Sequence, residues 1–309
     1  MKLFRLVVAT LIATWILLLI GGLVNPTGSS MACPDWYFIP TCNGQLLPEM
    51  TGGVLYEHGH RLWASWVGLL TATLAFSIWR ARPDDPKTRR LGWTALFLVC
   101  LQGTLGGITV RLNLSSTVST FHLATAMVFF LLLVLLTFRL HPAPTRQSQV
   151  APVPARRGIV LAATVAVFGQ VVLGGAVRHL GAGLICGDDW LGCGPGMQWV
   201  KQSLAHLHMT HRLVAFALIP LVLLAARQAL KVARAQGNAL ALTLARLPVL
   251  LVLVQVGLGF ATVATGRSVA IVTFHTAIGA LVLANLWACY LALGPEGQRI
   301  AHGTGGRRG

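Results

Sequence analysis

Eight apolar runs, at roughly 6–24, 59–79, 92–110, 118–138, 158–177, 205–226, 247–265 and 270–293, leave this chain few ways to fold. Each is close to the ~20 residues a helix needs to cross a ~30 Å hydrocarbon core. In lipid a backbone must satisfy its own hydrogen bonds, so such runs become helices rather than open sheet. Only 10% of the residues are charged, against about a quarter in a soluble domain. The reading is an all-α polytopic protein, with eight transmembrane helices embedded in the lipid of the cell membrane. The first run lacks a small-residue cleavage site and opens a pattern that recurs later, so it reads as a retained helix rather than a signal peptide.

A net charge of +16 would suit nucleic acid, but its distribution argues against such a partner. With the N-terminus inside, 18 of the 24 Lys and Arg residues fall in cytoplasmic segments. The other 6, Arg61, Arg111, Arg178, Lys201, Arg212 and Arg267, lie outside or at outer helix ends. This is the positive-inside bias, and it predicts that both termini are cytoplasmic. Cys33 and Cys42 then share the first outer loop, and Cys186 and Cys193 the third. Each pair on an oxidising face is a candidate disulfide, either a loop staple or a redox couple. Neither pair has the short ligand spacing of a zinc site. Cys100 and Cys289 fall within apolar runs and read as packing residues.

The chain is a duplication. Gly21-Gly22 recurs as Gly174-Gly175, Cys33 as Cys186, Gln102 as Gln255 and Phe121-His122 as Phe274-His275, each at an offset of 153. Cys42 recurs as Cys193, and His60-Arg61-Leu62 as His211-Arg212-Leu213, at 151. Four spans per copy give both copies the same orientation. The expected architecture is therefore two tandem four-helix bundles related by a pseudo-two-fold axis along the membrane normal. Residues 1–140 form the first unit, 141–157 a Pro-, Ser- and Arg-containing cytoplasmic linker, 158–294 the second unit and 295–309 a cytoplasmic tail.

Ionisable groups inside spans are costly and point to function. His60 and His122 sit near the outer ends of the second and fourth spans, and His211 and His275 repeat them. A lone membrane histidine usually serves as an interhelical hydrogen-bonding group. Two pairs in register instead suggest bis-imidazole ligation of haem, whose flat ring fits between the helices of a bundle. Arg61 and Arg212 each follow a ligand candidate, where a guanidinium would meet a haem propionate. Glycines in QGTLGG and VLGGAV would admit a close helix or a large ring. His58, His179, His206 and His208 are weaker candidates, and His141 and His302 face the cytoplasm.

The copies differ at one telling position. Glu57, three residues before His60 and on the same helix face, is replaced in the second copy by His208. Beside a ring pocket, Glu57 could accept or donate a proton. The alternative is an interfacial carboxylate paired with Arg61. The difference favours chemistry in the first unit and electron transfer in the second.

GGLVNPTGSSMACPDW, EHGHR, QGTLGGITVR, FHLATA, LGGAVRH, THRL and FHTAIGA, in this order and spacing, resemble the haem A synthase family over nearly the whole chain. The resemblance implies oxidation of a ring methyl of haem O to a formyl group, giving haem A. It implies a haem b cofactor on His211 and His275, a haem substrate site on His60 and His122, and an essential acid at Glu57. In that family the first-loop pair, here Cys33 and Cys42, is associated with electron or substrate handling; the reading kept for Cys33–Cys42 and for Cys186–Cys193 is a structural disulfide. A haem O synthase that hands over substrate is the implied partner. Asn25 departs from the arginine expected in many relatives. A di-haem b electron-transfer protein without substrate chemistry is the rival reading, and a small-molecule transporter a weaker one. The electron acceptor and homo-oligomerisation stay open.

Overall fold

The computed structural model describes residues 1–36, 39–142, 157–187, 193 and 203–304. Most of the 141–157 linker, the Asp188-Asp189-Trp190 stretch, Lys201 and the end of the tail lie outside the described residues. The long helices are α1 Lys2–Val24, α2 Gly52–Ala81, α3 Pro86–Arg111, α4 Ser116–Leu140, α5 Gly158–His179, α6 Ser203–Ala235, α7 Ala239–Ala264 and α8 Val269–Ala292. All eight are long and apolar enough to cross a membrane. The described residues contain no strand, only an isolated bridge between Cys42 and Gln45.

Several helices outrun their apolar stretches. The 30 residues of α2 span about 45 Å, well beyond a ~30 Å core. Tyr56-Glu57-His58 therefore lies within α2, not before it, because a helix continues wherever propensity and packing allow. Pro220 and Pro248 sit inside α6 and α7, which membrane helices tolerate when neighbours satisfy the freed carbonyls. Caps close other ends: Asp85 accepts from the Thr88 amide at 3.0 Å and its hydroxyl at 2.6 Å, with Pro86 opening α3.

The duplication extends to the hydrogen bonds of a turn. Between α3 and α4, Asn113 and Leu114 both take positive φ, 48° and 63°. Between α7 and α8, Gly266 and Arg267 do the same at 58° and 68°. The Leu114 amide donates to Thr109 O and the Arg267 amide to Thr262 O, each at 2.8 Å.

Within the first half α1 packs on α2, α2 on α3, α3 on α4 and α4 back on α1; α5 to α8 repeat this circuit. The halves meet through α1 on α8, α4 on α5 and α4 on α8. Trp15 Nε1 donates to Ala277 O at 3.3 Å, and Trp287 Nε1 to Leu131 O at 3.0 Å. Hydrophobic burial gives little drive between helices in lipid, so close approach matters. Gly22 lies in contact range of Thr273, and Gly175 lies so close to Leu123 that a side chain on it would crowd the joint.

The tail begins with a ten-residue helix, α9 Pro295–Thr304, packed against the ends of α8, α7 and α4. Arg299 donates to Phe138 O at 2.8 Å, capping carbonyls that the end of α4 leaves open, and Glu296 pairs with Arg139 at 3.0 Å. Cys289 is buried as expected, but Cys100 is exposed. An apolar run does not say which face of its helix turns outward, and Cys100 is on that face.

Candidate functional site

The four histidines come together as two pairs. His60 on α2 and His122 on α4 are close enough to interact electrostatically, and so are His211 on α6 and His275 on α8. All four are half-buried, whereas His58 and His208 beside them are buried.

Each imidazole rests on a helical glycine. A methyl group at Gly21 would stand 2.9 Å from His60 Cε1, and one at Gly174 2.8 Å from His211 Cε1. At Gly106 and Gly259 it would stand 3.6 and 3.4 Å from Cε1 of His122 and His275. Gly21 and Gly174 are therefore cradles that only a missing side chain leaves open to the ring, whereas at Gly106 and Gly259 the added methyl would make an ordinary contact.

Glutamines hold three of the rings. Gln170 Nε2 donates to His211 O at 2.8 Å and lies 3.0 Å from His211 Nδ1. Gln102, with its amide nitrogen towards His122, donates to His122 Nδ1 and O at 3.1 Å, while its oxygen accepts from the Thr125 hydroxyl. Gln255 Nε2 lies 3.4 Å from His275 Nε2. Nδ1 of His60 and of His275 is buried without a hydrogen-bond partner.

Among the described residues no three His, Cys, Asp or Glu gather as a metal cluster. Imidazoles in twos, with glycine cradles and glutamine-oriented rings, suit the two axial positions of a haem, whose remaining ligands are its own. The residues present thus fit the group.

Glu57 is 4% exposed and both its oxygens are engaged. One bonds Arg61 at 2.8 Å and the other accepts from the Cys33 amide at 2.9 Å. Arg61 also donates to the carbonyls of Cys33, Asp35 and Thr41, at 2.5, 2.6 and 2.8 Å. The i, i+4 pairing weighed as an alternative for Glu57 is therefore present, and the pair clamps the α1–α2 loop onto α2. In the second half Arg212 Nε meets His208 Nε2 instead, at 3.2 Å.

The clamped loop is closed by the Cys33–Cys42 disulfide, with Cα atoms 4.7 Å apart; Cys186 and Cys193 are joined likewise at 4.4 Å. Asp35 organises the first loop, accepting from Thr41 Oγ1, Asn43 N and Gly44 N at 2.7, 2.8 and 3.2 Å. Partial burial pushes its pKa up, but the Thr41 hydroxyl and the Gly44 and Asn43 amides outweigh that and hold it below the ordinary 3.8. Trp36 of this loop packs on Gly107, under the Arg111 guanidinium 5.7 Å from the ring.

The sequence of this chain has counterparts. The sequence profile of the COX15-CtaA family, described as cytochrome oxidase assembly protein, matches residues 50–287. Heme A synthase of Shouchella clausii is 30% identical over 94% of this chain and 95% of its own. That of Rhizorhabdus wittichii is 33% identical over 75% and 70%, and that of Halalkalibacterium halodurans 26% over 92% and 94%. The chain belongs to the haem A synthase family.

Against that family background, the remaining candidates separate. His58 Nε2 is 3.1 Å from Leu46 O and anchors the α1–α2 loop. His179 Nδ1 is 3.2 Å from Thr120 Oγ1, and its carbonyl accepts from Ser116 at 2.9 Å, so it joins α5 to α4. His141 stacks edge-on against Phe4 at 5.0 Å, away from both pairs. Asn25, where the resemblance led to an expectation of arginine, accepts from Arg178 Nε at 3.3 Å. Asn25 and Arg178 are equivalents under the 153-residue offset, so the repeat meets itself there. Gln170 escaped the sequence reading because its equivalent is Leu17; laying the halves side by side would have exposed the mismatch.

Proposed function

We propose that this chain is a haem A synthase that oxidises a ring methyl of haem O to a formyl group, yielding haem A for terminal oxidases. The observation that carries the reading is one histidine pair per half, with a buried acid, Glu57, three residues before a histidine of the first pair and a histidine, His208, in its place in the second. The shared name of the relatives favours it over a di-haem b electron carrier.

On this reading His211 and His275 hold a haem b cofactor, and His60 and His122 hold the haem substrate. Converting a methyl to a formyl group removes four electrons and four protons and adds one oxygen atom, so an external electron acceptor is needed, and a bound haem would supply the redox relay to it that no side chain here offers. The chain's own residues position and protect. Gln102, Gln170 and Gln255 orient the rings of their histidines, and the glycine cradles at Gly21 and Gly174 let α1 and α5 close on His60 and His211. Glu57 takes or relays the protons released at the methyl, with Arg61 keeping its carboxylate aimed. Arg61 and Arg212 receive propionates at the polar ends of α2 and α6, Arg61 by exchanging a loop carbonyl for a carboxylate.

The positive-inside bias supports cytoplasmic termini. A haem O synthase that passes on its product is the partner this substrate requires.

The test is pigment extraction with mass analysis from wild type and from His60→Ala, His122→Ala, His211→Ala and His275→Ala. Loss of haem b in the last two alone, with haem O turnover lost in the first two, is the expected result. Two permanently bound b-type haems and no haem O or A in the wild type would overturn it.

A further inference from the structure

The two halves brace their histidines unequally. Gln170 stands on α5 one helical turn before Gly174, the glycine against which His211 rests, and its amide reaches His211 Nδ1 and O. On α1, one turn before Gly21, the same place is held by Leu17. Leu17 packs into the apolar core of the first half. His60 keeps its glycine but has no glutamine, and its Nδ1 is buried without a hydrogen-bond partner. Of the four histidines in the two pairs, His60 alone makes no side-chain hydrogen bond among the described residues.

A hydrogen bond to the nitrogen that faces away from the iron fixes the ring's orientation and tautomer and makes the other nitrogen a better ligand. Losing such a partner typically weakens metal binding on the order of 10–100-fold. A carboxamide can serve either tautomer, because it offers both a donor and an acceptor. Gln170 Oε1 and Gln255 Oε1 are buried and unpaired, so either amide can turn to accept a ring N–H. Leu17 can do neither. It leaves His60 held by packing alone, opposite a His122 that Gln102 holds firmly.

We propose that His60 is the exchangeable axial ligand of this protein, released and re-formed as substrate haem enters and product leaves. The Leu17/Gln170 difference is the positioning device that separates this loose ligand from His211, its braced equivalent; His275, whose Nδ1 also has no partner, is met by Gln255 at Nε2 instead. The inference rests on the assignment of the histidine pairs to haem made above. It concerns how tightly each iron is held, not which residue does the chemistry.

The test uses the full-length protein in detergent, carrying haem in both halves, with carbon monoxide as the probe of an open ferrous axial position. Wild type is expected to bind carbon monoxide at one haem only. Leu17→Gln, which supplies the missing brace, should lower that binding on the order of tenfold and slow haem loss from the first half. Gln170→Leu should do the reverse to the second half, releasing its haem roughly tenfold faster and opening it to carbon monoxide. The intact haem b spectrum of Leu17→Gln reports correct folding; if that spectrum is lost, Gln170→Leu alone decides. Unchanged carbon monoxide binding in a folded Leu17→Gln, or wild-type haem retention in Gln170→Leu, would overturn the proposal. His60→Ala separates the two layers. If it leaves the carbon monoxide-reactive haem unaltered, the ligand assignment itself is wrong. If it alters that haem while Leu17→Gln does not, the assignment stands and the bracing idea falls.

Discussion

Glu57 illustrates how one side chain can be legible in sequence and still be incompletely understood from it. Its position beside His60, and its replacement by His208, follow from the repeat alone. That it also holds the Cys33 amide, while Arg61 gathers three loop carbonyls, depends on how the loop folds back. Glu57→Gln keeps an oxygen for the Cys33 amide but removes the charge. We expect it to retain haem b and lower haem A formation by about 100-fold, in the range typical for loss of a general acid or base. The ratio of haem O to haem A in extracts measures this, and normal haem A output would remove Glu57 from the reaction. Asp35 has a pH signature. Its folded pKa is depressed, so its contribution to loop stability is fully present above the ordinary 3.8 and is lost as pH falls through the lower folded value. Hydrogen exchange across residues 33–45 should therefore accelerate only in strong acid. Asp35→Asn should abolish that pH step.

At the level of helices, the eight apolar spans were readable because hydrocarbon thickness sets their length. Their ends were not, since polar turns outside the core obey propensity and capping. The glycines became intelligible only once helices were paired. Gly174→Ala would drive a methyl group to within 2.8 Å of His211 Cε1, so it should displace the ring. We expect at least tenfold weaker haem b retention during purification, with helical content preserved. Gly169 has open space around the same position, and Gly169→Ala serves as the silent control. The α3–α4 turn offers a stabilising change. Leu114 takes φ of 63°, which costs a residue with a Cβ roughly 1–2 kcal/mol. Leu114→Gly should raise the thermal unfolding midpoint in detergent, whereas the same exchange at Leu112, outside the left-handed region, should lower it.

For the whole molecule, the positive-inside bias carries a prediction of topology. Green fluorescent protein fused after residue 142 or at the C-terminus should fluoresce, and alkaline phosphatase fused within residues 39–51 should be active. The reverse pattern would invert the protein. The sequence by itself determined the eight spans, the duplication, the histidine pairs and the unmatched acid, because apolar length and recurrence at a nearly constant offset are written residue by residue. It could not show that Arg61 serves the loop, that Arg178 meets its own equivalent Asn25, or that glutamines reach three histidines and miss the fourth. Those facts depend on which helix faces turn towards each other, and pairing between elements far apart in the chain is decided only when the bundle closes.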